Sequence, residues 1–323
     1  MFLKTCGTMN HTAAPHSPAL SIAAVERDTG LSKDTLRVWE RRYGFPVPLR
    51  DSFGERAYPP QQLEKLRIVK RLLDVGHRPG RIVAQSIDAL NQLSHAAPAT
   101  TEHAVAQTGV DLLSYMQLIQ LPDVDNLHRA LNQAAMQMGL AAFVCNVVAP
   151  LNVLVGDAWA RGQLEVYEEH LYTQSIQAVL HDVMRSSNPT ADAEPRVLLT
   201  TFPHETHALG LLMAQAMMRL NGCFCVSLGT QTPVVDIVNA AAAHDTDIVA
   251  LSFTASLKTK DVAHGLTELR HKLPQRVQIW VGGHCPSIAR KPPAGVMVIT
   301  DLQDIKAAVA NWRIQQSSLV EAA

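Results

Sequence analysis

The 323-residue sequence is poor in aromatic residues and in cysteine. Phe, Trp and Tyr make up only 5% of the chain, so its hydrophobic cores must rest on aliphatic side chains and methionine. Its five cysteines are an odd number, and none lies in a CxxC pair. These facts argue against a disulfide framework and against a four-cysteine zinc site, and they favour reduced thiols in a cytosol.

Long hydrophobic runs and a strong net charge are also missing. No uninterrupted apolar run approaches a membrane span, and the first residues lack a basic-then-apolar signal pattern, so we expect a cytoplasmic protein with no membrane contact. The net charge of −1 conceals an asymmetry. Residues 1–90 hold 14 basic and 9 acidic side chains (+5), and the remainder holds 14 and 20 (−6). The basic part favours a polyanionic partner, although a solvated face would give the same imbalance.

Changes in composition and hydrophobic periodicity divide the chain into segments, and its length fits two or three domains. Residues 1–17 lack periodicity and are expected to be a disordered tail. Residues 18–90 are helical and basic, and the polar stretch 91–108 indicates a linker. Residues 109–187 have a helical period throughout, and in residues 195–316 short apolar runs alternate with helical patterns.

The alternation in the last segment predicts a parallel sheet. Five candidate strands, separated by helical patterns, begin near Val197, Phe224, Ile248, Val277 and Val296. Strands joined through helices by short connections form right-handed crossovers, so we predict a flavodoxin-like doubly wound α/β fold. Ligands of such sheets bind outside the C-terminal ends of the strands, where the chain's polar motifs fall.

The middle segment predicts a four-helix bundle. Its helical stretches lie near residues 109–120, 123–138, 140–161 and 164–186. Trp159, near the end of the third stretch, is followed ten residues later by the pair Glu169-His170. Taken alone, this pattern favours a packed Trp in a capped bundle.

The basic segment has the pattern of a helix-turn-helix. A helix that begins at Ser21 is closed by Gly30, and Ser32 is a good N-cap for a second helix, Lys33–Tyr43. After Gly44 the helical period is lost, which suits a small β wing. The second helix carries several basic side chains that can grip phosphate or bind guanine edges.

The run Leu36-Arg37-x-Trp39-Glu40-Arg41-Arg42-Tyr43, followed by Arg56-Ala57-Tyr58, resembles the MerR-family winged helix over residues 18–88. In that family the second helix enters the major groove, the wing touches the backbone or minor groove, and dimers bind two half-sites. The resemblance implies a double-stranded DNA operator and a homo-oligomer. A solvated basic hairpin, or a winged helix used for protein contacts, is the alternative. The implied DNA contacts are Lys33, Arg37, Arg41, Arg42, Tyr43 and Arg56.

A metal-ligating pattern follows the first strand of the predicted sheet, Glu205-x-His207-x-x-Gly210. The imidazole can ligate a metal while the carboxylate accepts its other N–H, and Gly210 would leave room for a bulky group. His204 suggests zinc, but further ligands at a standard spacing are not evident. Hydroxyls and bare backbone that could line a slot for a long polar tail end the third and fourth strands, at Ser252, Thr254, Gly282 and Gly283.

In this order the motifs resemble the base-off cobalamin-binding domain found in methionine synthase and the mutases. Trp-x9-Glu-His resembles the helical cap of the CarH/LitR-type cobalamin photoreceptors. The resemblance implies that His207 is the lower cobalt ligand, and that the adenosyl group of adenosylcobalamin is covered by Trp159, Glu169 and His170. In the best-known members a His follows the Trp and can ligate cobalt. Here that position is Ala160, which cannot.

These resemblances imply a cobalamin-dependent, light-responsive transcription regulator, a repressor rather than an enzyme. A second interpretation, motivated by Ala160, is a MerR-type regulator whose C-terminal half senses another chromophore or a protein partner, including an antirepressor. A third is a corrinoid methyl carrier, against which the N-terminal winged helix argues.

Overall fold

The computed structural model describes residues 19–95, 109–185, 190 and 192–321, except for 52, 75, 122, 255–256, 284–287 and 289. The expected tail and most of the expected linker lie outside the described residues. Contacts group the chain into two compact units, one made of Met1–Leu73 and His77–Leu93, the other of Asp74–Gly76 and Ser94–Ala323. The second unit contains both the predicted bundle and the predicted sheet.

The first unit begins with the predicted helix-turn-helix. Strand β1 (Leu20–Ser21) leads into α1 (Ile22–Thr29), and α2 (Lys33–Tyr43) follows after a tight turn. Gly30 closes α1 with a φ of 68°, in the left-handed region that glycine adopts without strain. The hydroxyl of Ser32 accepts a hydrogen bond from the Thr35 amide and so caps α2, as predicted.

A three-stranded antiparallel sheet forms the wing. Strands β2 (Leu49–Arg50) and β3 (Arg56–Tyr58) make a hairpin, and β3 also pairs with β1. Leu36, Trp39 and Tyr58 are buried together in the core of this unit. The remaining helices of the unit are α3 (Pro60–Asp74), α4 (Pro79–Ile82) and α5 (Ile87–His95).

The second unit starts with the four predicted helical stretches. They are α6 (Leu112–Gln120), α7 (Val124–Met138), α8 (Leu140–Ala160) and α9 (Val166–Arg185). Gly139 and Gly162 separate the last three, and both have the positive φ of a chain reversal. The prediction of four helices with breaks at these two glycines is confirmed.

Helix α8 contains a π-helical turn, Val144–Val148, in which the Ala149 amide donates to the Val144 carbonyl. Pro150 has no amide proton for the carbonyl four residues before it, so a wider turn suits this position. By length and by its mean hydropathy of 1.7, α8 could cross a membrane, which the sequence analysis did not expect. Half of the apolar window is buried inside the protein, and core helices pass the same test, so this is weak evidence for a span.

The sheet of the second unit has five parallel strands in the order β5-β4-β6-β7-β8. Counted along the domain, this is the 2-1-3-4-5 order of a flavodoxin-like fold, as predicted. The elements are β4 (Arg196–Thr200), α10 (Leu209–Leu220), β5 (Phe224–Gly229), α11 (Val234–Ala243), β6 (Ile248–Phe253), α12 (Thr259–Lys272), β7 (Gln278–Gly283), β8 (Val296–Val298) and α13 (Asp304–Glu321).

Alternate residues of each central strand face two different cores, because side chains along a strand point to opposite faces. Val197 and Leu199 join a core that also contains α10, α13 and the bundle helices, whereas Leu198 joins a core under α11 and α12. Helix α10 contacts α9 and the segment Leu140–Phe143 on one side and β4, β5 and β6 on the other. Bundle and sheet therefore share one hydrophobic core.

Candidate functional sites

The strand order reverses between β4 and β6, and the polar motifs of the sequence meet at this point. Glu205 and His207 lie in the loop between β4 and α10, and Thr254 follows β6 directly. Since β4 and β6 are parallel neighbours, their C-terminal ends share one edge. The predicted placement at the C-terminal edge of the sheet is confirmed.

A carboxylate holds the imidazole of the motif. Nδ1 of His207 lies 2.6 Å from Oε1 of Glu205, and the His207 amide donates to the same oxygen at 3.2 Å. The Glu205 side chain is only 1% exposed, whereas that of His207 is 48% exposed. Because Nδ1 is engaged by the carboxylate, Nε2 is the ring nitrogen suited to a metal ion.

Thr254 fixes the other oxygen of that carboxylate. Its amide and its hydroxyl both donate to Oε2 of Glu205, each at 2.8 Å. Burial alone would raise the pKa of Glu205, but the hydrogen bonds from His207 and Thr254 outweigh it, and the pKa lies below its usual value. Thr254 was predicted to line a slot for the cofactor tail, and its bonds to Glu205 were not predicted.

Gly210 serves a close contact between helix and sheet. A Cβ at this position would lie 2.9 Å from the hydroxyl oxygen of Ser252, which is buried. The expected opening for a bulky group is therefore filled in this structure by the Ser252 side chain. The glycine still has a clear physical reason, because α10 could not approach β6 as closely with a larger residue.

The glycine pair that ends β7 is constrained by its neighbour. Gly283 has a φ of 92°, and a Cβ there would lie 2.3 Å from the Phe253 carbonyl oxygen. A Cβ on Gly282 would meet the Ile299 carbonyl at 3.5 Å, an ordinary contact. Gly283 is thus required by both backbone conformation and space.

A threonine network beneath the loop was not predicted. Thr201 donates through its hydroxyl to the Glu205 carbonyl at 2.7 Å and accepts from the Gln231 amide at 2.8 Å. The hydroxyls of Thr200 and Thr232 lie 2.7 Å apart. These bonds tie the loop after β4 to the loop after β5. The only available sequence signal was the pair of threonines at a strand end.

The candidate cap residues lie at the turn between α8 and α9. Trp159 is half-buried against the shared core, and Ala160 is buried. Glu169 accepts a hydrogen bond from the Thr173 hydroxyl at 2.7 Å, while the His170 side chain is 70% exposed and its Nε2 lies 3.7 Å from Glu169.

Glu168, which the sequence analysis passed over, has a structural role in the same turn. It is buried, and its carboxylate accepts from the Glu165 amide at 2.7 Å, three residues before it. A carboxylate that reaches back to the first amide of a helix is half of a capping box. Glu168 therefore fixes the start of α9, on which Glu169 and His170 lie.

On α2 the candidate DNA contacts are surface groups. The Arg41 and Arg42 residues are exposed. Arg37 makes an exposed ion pair with Asp34 at 3.1 Å, and the Lys33 ammonium lies 3.5 Å from a Glu26 oxygen. Exposed pairs of this kind are weak, so they do not withhold these cations from phosphate.

Arg56 and Tyr43 are more deeply engaged within the unit. Nε of Arg56 donates to Glu40 at 2.9 Å, which joins β3 to α2 and raises the pKa of Arg56. Tyr43 is half-buried against the core, and the Arg42 guanidinium lies 5.4 Å from its ring centre. Both residues therefore also hold the fold of the winged helix.

The zinc interpretation at His204 gains no further ligand. Among the described residues there is no group of three or more His, Cys, Asp or Glu side chains arranged to hold a metal ion. His204 is exposed and has a φ of 71°.

Three family models match the chain, in the order of its predicted segments. A MerR HTH family regulatory protein model matches residues 20–84, and two B12 binding domain models match residues 115–181 and 195–301. The HTH-type transcriptional repressor CarH of Myxococcus xanthus is 30% identical over 79% of this chain and 85% of its own length. The chain belongs to the family of CarH. It is a DNA-binding transcriptional regulator controlled by cobalamin.

Two further similar proteins were found. The HTH-type transcriptional repressor CarA of Myxococcus xanthus is 30% identical to this CarH-family regulator over 77% of the chain and 81% of its own length. Among solved structures, the monomethylamine corrinoid protein of Methanosarcina barkeri covers 62% of this chain and 96% of its own. It is 16% identical, with a TM-score of 0.49.

The residues of this CarH-family member fit a cobalt ligand set. A half-exposed imidazole whose Nδ1 is held by a fully buried carboxylate is the usual arrangement of a metal-ligating His. Thr254 fixes that carboxylate in turn. The donor set would thus suit a single nitrogen ligand from the protein rather than a closed all-protein metal cage.

Proposed function

We propose that this regulator is a repressor that binds adenosylcobalamin through His207 and that light switches its binding to DNA. The observation that carries the proposal is the hydrogen-bonded chain from Thr254 through Glu205 to His207. Such a chain sets the ring orientation and raises the basicity of the ligating nitrogen. When bound, adenosylcobalamin supplies a cobalt–carbon bond that light can break.

In this proposal residues of the bundle would contact the adenosyl group of the cofactor. Trp159, Glu169 and His170 lie at one turn of the bundle, and we assign them to the adenosyl group. Ala160 has no atom that can ligate cobalt. A second imidazole ligand would have to come from another position, of which the exposed His170 is a candidate.

The remaining assignments concern the cofactor tail and the DNA. We assign the displaced tail to the edge formed by Thr254, Gly282 and Gly283, beside the close contact of Gly210 with Ser252. On α2, Lys33, Arg37, Arg41 and Arg42 would grip phosphates or base edges, with Tyr43 and Arg56 beside them. A homo-oligomer on a two-half-site operator in the cytoplasm, without an enzymatic reaction, completes the proposal.

The test compares two neighbouring histidines. The wild-type protein, His207→Ala and the matched control His204→Asn are mixed with adenosylcobalamin in the dark, and their absorption spectra are recorded before and after green light. Asn suits position 204 because it tolerates the positive φ there. We expect the spectrum of a His-ligated cobalamin in the wild type and in the control only. In His207→Ala the affinity for adenosylcobalamin should fall by more than about a hundredfold, which exceeds the loss expected when only a residue behind the ligand is changed.

DNA binding is measured on the same samples with a duplex selected by the dark protein from a random pool. We expect binding in the dark that weakens after illumination in the wild type and in His204→Asn. Equal binding before and after light would reject the photoswitch and leave the DNA-binding function intact. A spectrum that His207→Ala does not alter would reject the assigned ligand.

One observation favours a second candidate function. The absence of a ligating side chain at Ala160 departs from the CarH/LitR pattern, so the C-terminal unit could instead respond to another chromophore or to an antirepressor protein. A purified protein without a cobalamin spectrum, which releases DNA only when such a partner is added, would support this alternative.

A further inference from the structure

Thr201 joins the loop that carries Glu205 and His207 to the loop that follows β5. It comes directly after β4 and is fully buried. Its hydroxyl donates to the Glu205 carbonyl at 2.7 Å and accepts from the Gln231 amide at 2.8 Å. Its own carbonyl accepts from the Thr232 amide at 3.0 Å. Since an amide can only donate, the one proton of the hydroxyl is directed at Glu205.

Glu205 is held at two points. Thr254 fixes Oε2 of its carboxylate, and Thr201 fixes its backbone carbonyl. Both Nδ1 and the amide of His207 bond to Oε1 of the same carboxylate, so a displacement of the Glu205 backbone would pass to the imidazole. Distances between a metal and its ligands vary by only about 0.2 Å, so even a small displacement would weaken the bond to the metal.

The two loops that meet at Thr201 each contain a residue in an unfavourable backbone conformation. His204, next to Glu205, has a φ of 71°, and Gln231, whose amide donates to Thr201, has a φ of 64°. For residues other than glycine this left-handed region costs free energy, and it persists where the surrounding structure holds it. The loops therefore depend on hydrogen bonds such as those of Thr201 to keep their conformation.

We propose that Thr201 is a positioning residue for the cobalt ligand, because its hydroxyl fixes the Glu205 backbone and thereby sets the place of the His207 imidazole. This inference rests on the proposed ligation of cobalt by His207. Thr201 is fully buried beneath the loop, so it acts through Glu205 and does not contact the cofactor itself.

The experiment uses the full-length protein and a neighbouring threonine as the matched control. Thr201→Val and Thr201→Ala both remove the hydroxyl, so a folding failure in one leaves the other, and Thr201→Ser keeps it. The control is Thr200→Val. Thr200 is equally buried, and its hydroxyl lies 3.0 Å from the Gly229 carbonyl and 2.7 Å from the Thr232 hydroxyl. Among the described contacts it does not reach Glu205.

The first measurement is an absorbance titration with hydroxocobalamin. We expect the variants without the Thr201 hydroxyl to bind about tenfold more weakly, the lower end of the loss for a residue behind a metal ligand. Thr201→Ser and Thr200→Val should bind like the wild type. Urea denaturation should show similar losses of stability in Thr200→Val and Thr201→Val, since each loses buried hydrogen bonds to the loop after β5.

The second measurement is made without cobalamin. The ¹⁵N shifts of the His207 ring, assigned by their loss in His207→Ala, report the hydrogen bond between Nδ1 and Glu205. They should move toward those of a free imidazole in Thr201→Val and Thr201→Ala. In Thr201→Ser and Thr200→Val they should stay as in the wild type.

Wild-type affinity together with unchanged ring shifts in Thr201→Val and Thr201→Ala would overturn the inference and leave cobalt ligation by His207 standing. An equal loss of affinity in Thr200→Val and Thr201→Val would also overturn it, since any loosening of the strand end would then have the same effect. If His207→Ala binds hydroxocobalamin as tightly as the wild type, the proposed ligation and this inference fail together.

Discussion

The two units place their functional side chains in contrasting surroundings. In the N-terminal unit the candidate DNA contacts Lys33 and Arg37 lie on the surface of α2, and their partners are other exposed side chains. In the C-terminal unit His207 rests on a carboxylate that is almost completely buried and is itself held by Thr254. Removal of a partner from an exposed ion pair costs little free energy, because such pairs are weak. Removal of a buried hydrogen-bond partner costs more and also releases the side chain that the partner orients.

The largest effect that would sharpen this contrast is expected at the sheet edge. Gly283→Ala places a methyl group 2.3 Å from the Phe253 carbonyl oxygen at a residue with a φ of 92°. We expect a loss of about 3 kcal/mol in the free energy of unfolding, from strain and from displacement of the backbone. Urea denaturation followed by tryptophan fluorescence measures it, since Trp280 and Trp312 are buried in this unit.

Gly156→Ala is the matched control. Gly156 lies inside α8, and a Cβ there would meet no atom within 4 Å. Alanine favours a helix over glycine, so we expect a gain of about 0.5 to 1 kcal/mol. Similar losses for the two variants would mean that the close approach of β7 to Phe253 does not limit stability.

The next effect concerns the buried support itself. Glu205→Gln removes the charge that holds the His207 ring, and we expect cobalamin affinity to fall by about 10- to 100-fold. Absorbance titration with hydroxocobalamin measures the affinity. Glu268→Gln is the control, because Glu268 forms an exposed ion pair with Lys272 at 2.7 Å. Equal affinities for both variants and the wild type would contradict the support role of Glu205.

The smallest effect is expected in the N-terminal unit. A double-mutant cycle with Arg56→Ala and Glu40→Ala should give a coupling energy of about 0.2 to 1 kcal/mol, because the pair is partly open to solvent. Thermal unfolding of the four proteins measures it. A coupling above about 2 kcal/mol would remove the contrast between the two units, since it is the size expected for a buried network.

Much of the fold could be predicted from the sequence because its signals are local. The N-cap at Ser32, the glycines that end α1 and α2, and the alternation of strands and helices each depend on residues close in the chain. The flavodoxin-like fold was predicted from the alternation of five strands with helices. Placement of Glu205 and His207 at the C-terminal edge of the sheet followed from their position directly after the first strand.

The supports of the site could not be predicted, because they join distant parts of the chain. The bond from Thr254 to Glu205 spans 49 residues, and the one between Thr200 and Thr232 spans 32. Neither leaves a spacing pattern in the sequence. The same holds for Gly210 on α10, which must be glycine because of its close contact with Ser252 on β6. For helix α8 only uninterrupted apolar runs were considered, so its high mean hydropathy was missed. That hydropathy reflects burial in the core of the bundle.

Helix α10 begins two residues after His207 and is embedded in hydrocarbon on both sides. Because the helix packs against the bundle on one side and against the sheet on the other, a loss of packing on either side would also loosen the other. Replacement of Leu212 or Met217 by a smaller residue would weaken the core that bundle and sheet share. It would also destabilise the N-terminal end of α10, which lies next to His207 in the chain. The affinity for cobalamin and the thermal stability of this protein therefore depend on the same apolar side chains of α10.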